Sequence, residues 1–263
     1  MKHPIKSALW ATVVLLFAIT AFTFFRDRFQ PADHPYDLLQ QNISLTASDG
    51  KILDAVISIP VPTDSTVEKS LSPGVILLSP YLESGQIYGQ LPLLLGRNGF
   101  AVLTVNARYS FGADSMAVLN PADIAALPLD AQAAIQYLEN SPHVDAKRIG
   151  ILGTGLTARA ALLGSQGRSN IKAAVLVSAA LDEQAMEVIR DTAFRPVLIL
   201  VSISDGPAGT QAKEILAASA HPDSKIESYF GAGEDSEIWR AATSTEMMLL
   251  IVDWLKARLS QKE

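Results

Sequence analysis

The chain has 263 residues, a formal net charge of −6, 49% hydrophobic and 18% charged residues, and no cysteine. The apolar fraction supplies a full core and excludes wholesale disorder. The missing cysteine excludes disulfides, thiolate metal sites, a cysteine nucleophile and an acylated N-terminal cysteine, and the scattered Lys and Arg of an acidic chain argue against nucleic-acid binding.

Residues 1–6 form a basic segment with Lys2 and Lys6. Residues 7–25 carry no charge and are rich in Leu, Val and Phe. As a helix rising about 1.5 Å per residue they match the roughly 30 Å hydrocarbon core of a bilayer. The positive charge before the segment exceeds that of Arg26-Asp27-Arg28 after it, which places the N-terminus in the cytoplasm and the remainder outside. A cleaved signal peptide is the alternative. Its apolar region is shorter, about 7–15 residues, and ends in a small-x-small site. The outer end here, Ala21-Phe22-Thr23-Phe24-Phe25, suits an interfacial aromatic belt better. The segment therefore reads as a retained single-pass anchor. Residues 26–41, with Pro31 and Pro35, read as a polar tether, and 42–263 as the folded domain.

The domain opens with a predicted β-hairpin, Asn42–Thr46 and Lys51–Ile59 about a turn at Ser48-Asp49-Gly50. Short continuous apolar runs follow at Val75–Leu78, Phe100–Val105, Ile149–Leu152, Ala173–Val177 and Val197–Val201, the pattern of parallel strands covered on both faces. Helical patterns separate them at Ile87–Arg97, Ala122–Glu139, Thr157–Ser165, Asp182–Arg190 and Ala208–Ala218. Pro128 is expected to break or kink the second of these. A last strand, Lys225–Phe230, leads to a long helix with capping-box spacing at Thr243 and Glu246 and an apolar stripe of Met247, Leu250, Ile251, Trp254 and Leu255. The alternation predicts one doubly wound, mostly parallel α/β sheet with an antiparallel start and no large lid domain.

Ligands of open α/β sheets bind at the carboxyl ends of the strands. After Ile149–Leu152 comes Gly153-Thr154-Gly155-Leu156-Thr157 and then a helical run. This resembles the nucleophile elbow, G-x-S-x-G, of the α/β-hydrolase superfamily. Val144–Gly150 resembles the approach to the elbow in dienelactone-hydrolase-like and prolyl-oligopeptidase-like members. Pro73-Gly74 resembles the entry to the strand bearing the oxyanion loop, and Asn106–Ser115 resembles the D-x-R-G-x-G-x-S loop after the next strand. The resemblance implies an α/β-hydrolase fold over residues 42–260 and a triad in which the nucleophile falls on Gly155, the acid on Asp205 and the histidine on Glu234. Oxyanion-type donors are implied near Ser79, Tyr81 and Leu156.

Glycine offers no nucleophile and Glu234 no imidazole, whereas acyl transfer needs a hydroxyl and a base that accepts its proton. His3 and His34 precede the domain, and His143 and His221 fall at strand entries, the wrong end of the sheet. Thr154, Thr157 and Ser79 read as turn or capping hydroxyls. Glu234, Asp235 and Asp205 form an acidic rim that could hold Ca²⁺ or Mg²⁺ only as an all-oxygen site, and surface acids are the commoner outcome. No metal and no cofactor are expected. The sequence thus points to a non-catalytic, membrane-anchored hydrolase-like protein that binds a protein or small molecule in the cell envelope. The alternatives are a serine-type ester or peptide hydrolase with a rearranged centre, and a scaffold whose pocket is idle. Asn42-Ile43-Ser44 also fits a glycosylation sequon.

Overall fold

The computed structural model describes residues 35–64, 70–108, 120–191, 195–219 and 221–260. The basic segment, the candidate anchor 7–25, most of the tether, His3, His34 and Tyr109–Ser115 lie outside the described residues. Among those described, no helix is long and apolar enough to cross a membrane.

Strands β1 (Tyr36–Thr46) and β2 (Ile52–Pro62) form the expected antiparallel hairpin. Gly50 takes the positive φ of 83° that the turn requires, and Asp49 Oδ1 accepts the Lys51 amide at 3.2 Å. β1 begins at Tyr36, inside the stretch that its polarity marked as tether. β2 runs on to Pro62 and pairs with it residue for residue, so the ladder satisfies backbone groups that the side chains alone did not reveal.

The other strands are β3 (Ser72–Leu78), β4 (Ala101–Val105), β5 (Val144–Thr154), β6 (Ile171–Val177), β7 (Val197–Ser202) and β8 (Lys225–Tyr229). They build one sheet in the order β1-β2-β4-β3-β5-β6-β7-β8, parallel from β4 to β8. Successive side chains face opposite sides of a strand. Ile76 and Leu78 of β3, with Ile199 and Val201 of β7, therefore enter one core. Val75 and Leu77, with Leu198 and Leu200, enter the other. Each such burial contributes about 1.5–3 kcal/mol.

The first core is covered by α2 (Pro121–Glu139), α3 (Leu156–Gly164), α4 (Glu183–Asp191) and α5 (Gly206–Ser219). The second is covered by α1 (Leu91–Arg97) and α6 (Ser244–Leu259). The stripe of α6 is buried as expected at Met247, Ile251, Trp254 and Leu255. Between β6 and β7, α4 is the element described, as the spacing predicted.

A helix break at Pro128 and a capping box at Thr243 are both corrected. Pro128 sits inside α2 without ending it. Buried Ala131, Ala134, Ile135 and Leu138 dock the C-terminal half, so packing outweighs the lost backbone bond. Thr243 and Glu246 do not form a capping box. Thr243 has helical angles (φ −82°, ψ −3°), and its side chain bonds to no terminal amide, because a cap that receives those amides needs an extended backbone.

Candidate functional site

β5 ends at Thr154, Gly155 turns the chain, and α3 starts at Leu156. Gly155 has φ 56° and ψ −121°, a conformation that is strained for any residue with a Cβ. Its amide donates to Val177 O at 2.9 Å, which fixes the apex over β6. Gly153 is equally constrained, because a Cβ there would overlap the backbone carbonyl of Thr157.

Beneath the apex the hydroxyls are committed. Thr157 Oγ1 donates to Thr154 O (2.9 Å) and Leu78 O (3.3 Å) and accepts from Thr154 N (3.0 Å). Thr154 Oγ1 accepts from Trp239 Nε1 at 3.0 Å. The Tyr88 hydroxyl donates to Leu78 O, and its ring meets Trp239 edge to face at 4.8 Å. Ser79 is fully buried, and its Oγ accepts Ala107 N at 3.0 Å, joining the ends of β3 and β4. Each of these hydroxyls braces the elbow from below. Tyr81 and Leu156 are half-buried and rest on the small cluster of Ala107, Leu127 and Ala160.

Above the apex stands a carboxylate. A Cβ on Gly155 would collide with Asp235 Oδ1 and lie 3.0 Å from Asp235 Cγ. Asp235 opens a 3₁₀ turn (Asp235–Arg240) with φ 47°. Its amide donates to Asp205 Oδ1 at 3.4 Å, and its carbonyl accepts from Ser178 Oγ at 3.1 Å. Asp205 lies just past β7, where sequence reasoning put it, and is 6% exposed. Its Oδ2 is buried with no hydrogen-bond partner. Glu83 closes the rim, accepting from Ser236 Oγ (3.3 Å) and Arg240 Nη2 (2.9 Å). Asp235 as a whole is exposed at the mouth, with its carboxylate turned toward the apex. Protein atoms crowding its carboxylate, then the negative charges of Asp205 and Glu83, hold its pKa above the ordinary carboxylate value.

The structure thus brings Gly155 and Asp205 together but not Glu234. Glu234 is exposed, and its amide turns to Glu237 Oε2 at 3.2 Å. The positive φ of Asp235 rotates the turn by one residue, so the next side chain faces the apex. Among the described residues no group of three or more His, Asp or Glu is arranged to hold a metal. His143 is exposed at the entry of β5, and His221 Nδ1 accepts Asp223 N at 3.1 Å before β8. Both lie at the opposite strand ends from the elbow.

Sequence reasoning missed one polar network. Arg108, 5% exposed, donates through Nε to Asp130 Oδ1 at 2.8 Å and through Nη1 to Asp49 Oδ2 at 2.6 Å. Its own amide donates to Asp130 Oδ2 at 2.8 Å. The network ties the hairpin turn, the end of β4 and α2 together. Burial opposes charge on Arg108, but the two carboxylates outweigh it and raise its pKa. Burial is the leading influence on Asp130 and pushes its pKa up, while the Arg108 hydrogen bond pulls that of Asp49 down. The available signal was an acid at the buried stripe of a helix, between Leu127 and Ala131.

No protein-family model matches the chain, and no curated protein is significantly similar to it. Solved structures are. A dienelactone hydrolase from Anabaena variabilis superposes with a TM-score of 0.68 at 16% identity, covering 84% of this chain and 99% of its own. An esterase from Pyrococcus furiosus gives 0.62 at 16% identity, covering 88% and 94%. The α/β hydrolase GrgF from a Penicillium species gives 0.67 at 11%, covering 85% and 100%. The chain has the α/β-hydrolase fold.

Proposed function

We propose that this is a membrane-anchored, non-catalytic protein of α/β-hydrolase fold, serving as a binding or scaffold module in the cell envelope. The observation that supports this most is the Asp235 carboxylate over Gly155. Where acyl transfer needs a hydroxyl hydrogen-bonded to a base, the apex carries a hydrogen atom and the space above it holds an acid. The hydroxyls of Thr154, Thr157 and Ser79 are engaged in structural bonds. The anchor reading rests on residues 7–25, with the N-terminus in the cytoplasm and the domain outside. Full-length protein should show no turnover of short-chain p-nitrophenyl esters above buffer. Turnover that vanishes on mutating Thr154, Thr157 or Ser79 would defeat the proposal.

A second reading, a hydrolase with a rearranged centre, draws on the elbow angles and the buried Asp205, with the hydrolases and esterase among the structural neighbours. It requires a fluorophosphonate probe to label a specific hydroxyl. Absence of a labelled peptide favours the first reading.

A further inference from the structure

A groove separate from the elbow lies between the hairpin and the turn that follows β3. Its floor is one face of three strands. Pairing sets Gln40 beside Ser58, Asn42 beside Val56 and Thr104, and Ser44 beside Asp54, with Asn106 next along that face of the sheet. With strands about 4.8 Å apart and same-face residues about 6.8 Å apart along a strand, the floor measures about 10 by 14 Å.

The wall is the 3₁₀ turn Gly85–Tyr88 and the start of α1, and it is built in place. Asn106 Oδ1 accepts Gly85 N at 2.8 Å. Ser84 Oγ accepts Gln86 N at 3.4 Å. A side chain at Gly85 would overlap the Thr104 methyl group, so glycine lets the turn sit directly on β4. The concavity holds about 640 Å³, within the usual range of small-ligand sites.

Its chemistry is selective. Amides and hydroxyls line it beside apolar Ile43, Val56, Pro92 and Leu93, Asp54 is its one carboxylate, and no Lys or Arg among the described residues reaches it. A solvated face of an antiparallel sheet is ordinarily polar, and here a built wall makes that face concave. An anionic ligand would meet no counter-ion here, and a ligand without hydrogen-bonding groups would strip water from the amides without replacing its hydrogen bonds. Amides and hydroxyls together offer donors and acceptors side by side, as a sugar hydroxyl also does. We propose that this groove binds a short neutral oligosaccharide.

The proposal goes beyond the elbow and is independent of whether the elbow is catalytic. Its test is titration calorimetry of the full chain, kept in a sugar-free zwitterionic detergent, against maltotriose, cellotriose and chitotriose. At least one should bind saturably with a Kd at or below about 1 mM. Asn42→Ala and Gln86→Ala, at exposed positions, should each weaken that binding by about fivefold or more while leaving the melting temperature unchanged. Three results would overturn it: no saturable heat from any of the three at about 10 mM, binding unchanged in both variants, or tighter binding of a uronic-acid trisaccharide.

Discussion

Gly155 and Asp235 explain each other. With no side chain at the apex, an acid from the turn after β8 can occupy the space above it, and with that acid in place a side chain at the apex has nowhere to go. Gly155→Ser should therefore destabilise the domain by about 1–3 kcal/mol through backbone strain and collision, read as a lower midpoint in urea. Pairing it with Asp235→Ala removes the side chain that it meets. The double variant should recover part of the loss, whereas Gly155→Ser with Glu234→His should not. Asp235 also carries a pH signature. Folding raises its pKa, so between the ordinary carboxylate value and the raised one the native state binds more protons than the unfolded state. Its contribution to stability is then greatest at low pH and falls as pH rises through the folded pKa. Melting temperatures of wild type and Asp235→Asn should converge at acid pH and separate above it, with the variant the more stable. Equal offsets at every pH would count against the crowding described.

Among the elements, the elbow and the hairpin are held by polar networks of different kinds. Thr157 satisfies Thr154 N and reaches Leu78 O from the first turn of α3, so Thr157→Val should cost about 1–2 kcal/mol by stranding buried backbone groups. Arg108 binds one fully buried carboxylate, that of Asp130. Arg108→Met strands that charge and should cost about 3–5 kcal/mol in chemical denaturation, and Arg108→Met with Asp130→Leu should regain most of it. A double variant as unstable as the single one would mean that the network contributes more than its own satisfaction.

The elements were legible where a pattern is local. The apolar runs of β3 to β7 and the stripe of α6 could be read directly, because burial on both faces or on one stripe leaves a period in the sequence. The hidden parts depend on partners distant in the chain. Tyr36–Gln41 is a strand because β2 continues opposite it. α2 survives Pro128 because its far half is docked. At the site, the resemblance to the α/β-hydrolase pattern pointed to Gly155 and Asp205, since each lies just past a strand. It missed Asp235 by one position, because register within a tight turn hangs on a single positive φ that composition does not encode.

Across the whole molecule, the fold places the elbow and a separate polar groove on one sheet, and the proposed anchor precedes β1 in the chain. If that proposal holds, the full chain should sediment with membranes, resist alkaline carbonate and be released by detergent. Release by carbonate alone would contradict a retained anchor.

If the elbow is non-catalytic as proposed, no group there attacks a carbonyl. Steady-state hydrolysis of p-nitrophenyl butyrate by the full-length chain decides this. The expected rate equals that of buffer for the wild type and for Asp205→Asn alike. Turnover by the wild type that Asp205→Asn or Asp235→Asn abolishes would contradict it.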